Sequence, residues 1–168
     1  MDLSDLARHG SSQVIFESYP ERGFNARMTD LQAALGLTQL AALDDILAER
    51  RAIAERYTAA LAGHPHLEAP VDPPYAQRTW QSYPVRVRRS SLVSRTELMQ
   101  RLLDDGIATR RGVMAIHHEA PYSAPVLLPH TERAAEDTLM LPLFCGITEA
   151  EQDYVVARLA GHTLAQAA

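Results

Sequence analysis

Residues 23–40 read GFNARMTDLQAALGLTQL, and the change within them from irregular to helical patterning organises the rest of the chain. Thr29, with Gln32 three positions later, is a capping box: the hydroxyl accepts an orphan N–H of the first turn and the glutamine side chain reaches back to the cap. Leu31, Leu35, Leu43, Ile46, Leu47, Ile53, Tyr57 and Leu61 then recur mostly at three-residue, four-residue or two-turn intervals. Asp44, Asp45, Glu49, Arg51 and Glu55 fall opposite, the pattern of an amphipathic helix. Gly63 is its natural stop. The expectation is one helix of about 33 residues, a rod of roughly 50 Å at 1.5 Å per residue. That is longer than a small domain is wide, so part of the rod is expected to rest on something outside this chain.

Upstream, residues 1–28 show little periodicity, and turn signals at Gly10-Ser11-Ser12, Tyr19-Pro20 and Gly23 predict an extended approach segment. Downstream, His64-Pro65-His66, Pro70 and Pro73-Pro74 interrupt regular pairing and read as a connector. Tyr83, Val85 and Val87 alternate with polar positions, a half-buried strand that Pro84 assigns to an edge or an entry position. A second capping box, Ser94-Arg95-Thr96-Glu97, opens a helix with Leu98, Leu102 and Leu103 inward and Gly106 as its stop. Ile107–Arg110 reads as a strand, Thr131 as the cap of another helix, and Leu139-Met140-Leu141 as an apolar run. A third box, Thr148-Glu149-Ala150-Glu151, starts a last helix with Tyr154, Val155 and Leu159 inward and Gly161 closing it. Helices alternating with a few short strands predict an α/β layer architecture with a small mixed or antiparallel sheet flanked by helices.

Composition excludes several classes. The 168 residues carry 16 basic and 21 acidic side chains, net −5, and 46% apolar residues, enough for one domain with a real core. The acidic balance gives no general attraction to nucleic acid or anionic membrane. Cys145 is the only cysteine, so no intramolecular disulfide forms. Met1–Asp5 has no positive n-region and no apolar run long enough to span a membrane follows; a cytoplasmic location is expected. All 16 basic residues are arginine. This chain therefore supplies no lysine Schiff base, no lysine general base and no P-loop lysine.

Candidate chemistry is sparse. His64-x-His66 and His117-His118-Glu119 offer metal ligands, but no third histidine or cysteine follows at metal spacing, so no metal site is assigned. Arg86, Arg88, Arg89, Arg110 and Arg111 can grip phosphate with planar, two-pronged hydrogen bonds, or simply solvate a strand face. Cys145 reads as a buried small hydrophobe. Gly23-Phe24-Asn25-Ala26-Arg27-Met28 stands directly before the cap of the longest helix, where free N–H groups and the positive dipole end favour an anion. Asn25 adds a neutral donor and Arg27 a fork. The plain structural alternative is that Asn25 caps a turn and Arg27 pairs with Asp30.

The run from Gly23 to Leu40 resembles the signature of the DegT/DnrJ/EryC1/StrS family of pyridoxal-phosphate aminotransferases, most of which aminate keto-sugars carried on nucleotides. Three further stretches agree in order and spacing. They are Trp80-Gln81-Ser82-Tyr83-Pro84-Val85, then Gly106–Gly112 leading to His117 and Tyr122, and finally Leu139–Phe144 with the terminal helix. The resemblance covers nearly the whole chain and implies the small C-terminal domain of a fold-type I aminotransferase. Residues 1–62 would be approach segment and connecting helix, 63–168 the small α/β domain, and the large cofactor-binding domain would be absent.

The family's lysine, its Gly-rich stretch, the acidic residue facing the pyridine nitrogen and the ring-stacking residues have no counterpart here. The resemblance implies that Asn25 matches the asparagine that reaches across a dimer interface to the phosphate of the neighbouring subunit's cofactor, with Arg27 adjacent to it. It makes His117 the histidine near the substrate mouth, with Arg110 and Arg111 in the arm leading there, suited to a sugar nucleotide's diphosphate. His118 and Ala120 depart from the commoner residues around that histidine. The expected cofactor is pyridoxal phosphate, shared with a partner and not held covalently by this chain. The expected partners are a second copy or a complementing aminotransferase subunit, together with a nucleotide-sugar substrate. Without lysine the chain should be inactive alone. The competing readings are a non-catalytic dimerisation module and a sugar-nucleotide binder using Arg110, Arg111 and His117.

Overall fold

In the computed structural model, which describes residues 11–16, 19–122 and 125–164, the region predicted as one rod is two helices, α1 (Asp30–Ala41) and α2 (Leu43–Ala60). The capping box forms: the Thr29 hydroxyl accepts the Gln32 N–H at 3.4 Å, and the Thr29 N–H donates to the Gln32 side chain at 2.9 Å. The rod breaks at Ala42, whose φ of −99° and ψ of 7° leave the helical region. Asp44 and Asp45 fall in the first turn of α2, where carboxylates favour a new N-terminus and support the break. The two halves meet different fates. Helix α1 has no buried residue, with Leu31 and Leu35 83% and 67% exposed, whereas α2 buries Ile53, Ala54 and Tyr57.

The sheet has four strands, β1 (Leu67–Glu68), β2 (Tyr83–Val87), β3 (Arg110–Arg111) and β4 (Thr138–Leu141), in the order β1-β2-β4-β3 and antiparallel throughout. Of the two placements expected from Pro84, the edge is not met, since β2 is interior, while the entry is, since Pro84 is the second residue of the strand. Its reason survives, because β1 is two residues long and pairs only with Arg86 and Val87, so Pro84 has a strand neighbour on one side only. Ile107 is not in a strand. It sits in the core, and the expected strand is displaced to Arg110–Arg111.

Helix α3 (Arg95–Asp104) realises half of its predicted box: Ser94 accepts the Glu97 N–H at 3.2 Å, while the Glu97 carboxylate turns to Arg101, 2.6 Å away. Met99 joins Leu98 and Leu102 inside, and Gly106 ends the turn at a φ of +79°, where a side chain is unfavourable. Helix α4 (Pro129–Asp137) starts two residues before Thr131, with Leu128 at the cap and Pro129 in the first turn, a position where the missing N–H is harmless. Helix α5 (Glu149–Leu164) has the full reciprocal box at Thr148 and Glu151 and runs on through Gly161. Tyr154, expected inside, lies at the surface, under the Arg158 guanidinium, and its hydroxyl donates to the Asp105 carbonyl at 3.1 Å.

The core is built by register. Tyr83 pairs with Leu141, Val85 with Leu139 and Leu67 with Val87, so one sheet face presents these six residues. Helices α2, α3 and α5 cover it with Ile53, Tyr57, Leu98, Leu102, Val155 and Leu159. Tyr57 is fully buried, stacks at 5.2 Å on Tyr83 and donates its hydroxyl to the Pro142 carbonyl at 3.0 Å. Burial, and then the neighbouring Tyr83, push its phenol up to about 12. Gln152 of α5, also buried, donates to the Ile53 carbonyl at 3.0 Å and ties α5 to α2.

Candidate functional site

A cavity of about 1020 Å³ opens between β3, the end of β4 and the start of α5, at the upper end of the size range of small-molecule sites. Its polar lining includes Gln81, Ser82, Arg110, Arg111, Glu151 and Tyr154 among mainly apolar walls. Two successive residues of α2 hold two of its rims. The Glu49 carboxylate accepts the N–H of Gly146, which stands at a φ of +90° between the lining residues Phe144 and Ile147. The Arg50 guanidinium donates to the carbonyls of Trp80 and Gln81, each at 3.1 Å. Trp80 has a φ of +52°, the one left-handed non-glycine residue among those described, a conformation that persists only where surroundings impose it. Its ring stacks on Tyr83 at 5.6 Å, and the Arg78 guanidinium lies 5.5 Å from its centroid.

Arg110 and Arg111, the two residues of β3, are brought together on this cavity. Gly112 allows it: its N–H donates to the Thr138 carbonyl at 2.8 Å, and a Cβ there would come 2.7 Å from the Thr138 Cβ. Arg111 is braced, 3.7 Å from Glu119 and 5.7 Å over the ring of Phe16, which Arg95 covers at 4.9 Å. That contact, with the Val14 N–H donating to the Gln100 side chain at 2.8 Å, docks part of the approach segment on α3.

His117 is elsewhere. It lies in a 3-10 turn (Ile116–His118), is 6% exposed, does not line the cavity, and has its Nε2 3.2 Å from Glu132 Oε1. The Leu128 N–H also donates to that carboxylate at 2.9 Å; this bond first, and the one from His117 next, hold the Glu132 carboxyl below its usual range. Asn25 and Arg27 stand on the extended segment before α1, exposed, with no hydrogen-bond or ion-pair partner among the described residues. The bland pairing of Arg27 with Asp30 does not form. Arg22 anchors this segment by donating to the Pro121 carbonyl at 3.3 and 3.2 Å and lying over the Tyr122 ring. The expected residues thus form three groups: Asn25 with Arg27, Arg110 with Arg111, and His117 by itself. Sequence reasoning missed Glu49, Arg50 and Glu132, whose partners at these sites (Gly146, Trp80 with Gln81, and His117 with His118) are brought in from distant elements. Gln81 and Ser82 were within reach, since they belong to a quoted motif that had been given no role.

The model of the DegT/DnrJ/EryC1/StrS aminotransferase family matches residues 2–160. The chain belongs to this family. Solved members share its fold. The aminotransferase TlmJ from Streptoalloteichus hindustanus is 31% identical with a TM-score of 0.73, over 81% of this chain and 36% of that one. DesI, solved in the presence of its TDP-sugar product, is 29% identical with a TM-score of 0.74, over 83% and 37%. The PMP-form of the putative sugar aminotransferase Spr1654 from Streptococcus pneumoniae is 25% identical with a TM-score of 0.73, over 82% and 35%. The chain therefore spans little more than a third of the length of these proteins. The α/β fold with its antiparallel sheet is that of the corresponding part of DegT/DnrJ/EryC1/StrS enzymes. No helix among the described residues is long and apolar enough to cross a membrane.

Proposed function

We propose that this chain is the C-terminal part of a pyridoxal-phosphate aminotransferase acting on a nucleotide-linked keto-sugar, and that it works only with a lysine supplied from outside these 168 residues. In this reading residues 1–62 are approach segment and connecting helices and 63–168 the small domain. The observation that carries it is the pair Asn25 and Arg27, exposed and unengaged directly before the capped start of an α1 that buries nothing. Family membership and the forms in which Spr1654 was solved support the cofactor.

The residues present fit one end of that cofactor. A neutral amide and a planar cation beside a helix N-terminus suit a phosphate, whereas no lysine is available to anchor the ring. When bound, pyridoxal phosphate supplies the electron sink for moving an amino group. Asn25 would donate its amide N–H to a phosphate oxygen of a cofactor held in a second subunit, and Arg27 would add a charged donor. Arg110, at the cavity rim, would meet the substrate's diphosphate, with Arg111 held beside it by Glu119. His117, held by Glu132 outside this cavity's lining, has only the family resemblance to support a place near the substrate mouth. The partner is a second copy or a complementing subunit, and the unburied α1 supports either.

The test assembles this chain with a lysine-bearing member of the family and measures retention of pyridoxal phosphate by its absorbance after dialysis. Asn25→Ala is expected to weaken retention several-fold with unchanged secondary structure. Equal retention overturns the role of Asn25, and failure of any pair to assemble overturns the complementation.

A further inference from the structure

No third histidine or cysteine follows the run His117-His118-Glu119 at metal spacing, and the structure brings another ligand from a different element. Glu119 turns toward Arg111. In its place α4 brings Glu132, whose Oε1 lies 3.2 Å from His117 Nε2 and 3.9 Å from His118 Nε2. Ligand atoms of the three residues all lie within 4.8 Å of one another. Bond lengths of about 2.0–2.2 Å to imidazole nitrogen and carboxylate oxygen place tetrahedral ligands roughly 3.3–3.6 Å apart, and the two observed separations bracket that range.

We propose that His117, His118 and Glu132 form a binding site for a borderline divalent transition-metal ion, of which Zn²⁺ is the simplest probe. Two imidazoles and one carboxylate are a donor set for zinc, copper or nickel rather than for calcium or magnesium, which take oxygen. A hydrogen-bonded pair of His117 and Glu132 accounts for two of the three residues. It leaves His118 unexplained, since its Nε2 sits beyond hydrogen-bonding range of the carboxylate while its ring packs 4.1 Å from that of His117.

The parts are graded in mobility as a site requires. His117 is buried, and Glu132 is fixed from behind by the Leu128 N–H, the kind of outer hydrogen bond that orients metal ligands. The His118 side chain is 59% exposed, so it is free to swing toward the other two ligands and leave the solvent side open for a water. Among the described residues the ion pairs of Glu132 are those with the two histidines. An ion there would pin the 116–118 turn to α4 and stands apart from the large cavity, whose lining includes none of the three.

The experiment uses the full chain carrying Cys145→Ser, stripped of metal and titrated with Zn²⁺ against a chromophoric chelator; the substitution removes a competing thiol that is exposed and not buried as its sequence context predicts. One ion per chain is expected. His118→Ala and Glu132→Gln should each weaken binding at least tenfold, and His66→Ala should leave it unchanged, with circular dichroism the same in all. His118 is at the surface, so its substitution tests the site without threatening the fold. No zinc taken up at tens of micromolar, or uptake indifferent to both site substitutions, overturns the proposal.

Discussion

The Arg50 guanidinium caps the carbonyl of Trp80 at 3.1 Å and in doing so holds a left-handed tryptophan in place directly before Gln81, which lines the large cavity. Trp80 is the only tryptophan in the chain, so its emission reports this contact directly. Arg50→Ala removes a charged donor from two carbonyls, a loss of about 1–3 kcal/mol. It also frees a backbone conformation whose cost is about 1–3 kcal/mol. The expected outcome is a lowered denaturation midpoint together with altered Trp80 emission in the still-folded protein. Unchanged emission would show that the left-handed turn holds without Arg50.

Gly112 is set by space rather than by backbone angle. Any Cβ there meets the Thr138 side chain and carbonyl, at 2.7 and 3.1 Å. Gly112→Ala should push β3 from β4 and destabilise the fold by about 1–3 kcal/mol, as overpacking does. Urea denaturation checks it, and Thr138→Ser in the same chain, which removes one of the crowding methyl contacts, should restore part of the loss.

Much of this architecture is legible in local chemistry, and what is not is long-range. All three caps at Thr29, Ser94 and Thr148 were readable because each is settled within four residues, and the alternation in 83–87 named the core face of β2 correctly. The break at Ala42 was missed because apolar spacing continues across it. Tyr154 satisfied the helical stripe yet lies outside, since its hydroxyl finds the Asp105 carbonyl. Residues 1–10 and 17–18 of the predicted approach segment lie outside those described. At the candidate sites the sequence named the arginines and His117, but Glu132, which turns His117 from a lone histidine into part of a cluster, is brought in by the docking of α4.

His64 should make the protein acid-sensitive. Its Nδ1 accepts the N–H groups of His66 at 3.2 Å and Leu67 at 3.1 Å, and its Nε2 lies 3.4 Å from the Thr163 hydroxyl of α5. Burial first, then His66 and Arg88, lower its pKa from 6.5. A histidine depressed on folding binds its proton more readily in the unfolded chain. Its stabilisation is therefore complete above the unfolded value and is lost as pH falls through the folded one. Denaturation midpoints should drop below about pH 6.5, and His64→Ala should flatten that dependence while lowering stability at neutral pH.

The absence of lysine makes a chemical prediction. With its N-terminal amine blocked, the chain mixed with pyridoxal phosphate and reduced with borohydride should retain no covalently bound cofactor by mass spectrometry. A stoichiometric adduct would remove the need for a complementing chain.

Exposed Leu31 and Leu35 on an α1 that buries nothing predict association. Light scattering should show a species larger than one chain, and Leu31→Glu with Leu35→Glu should shift it toward monomer without loss of helical signal from the core.

Both ends of the sheet are stubs of two residues, β1 ending in Glu68 and β3 made wholly of arginine. A short, charged edge gives a neighbouring chain no backbone template to extend. If copies of this protein associate as the exposed α1 predicts, they would meet through helix side chains, a contact that one or two substitutions should undo. The same apolar surface placed on an open strand would have invited fibres instead of pairs.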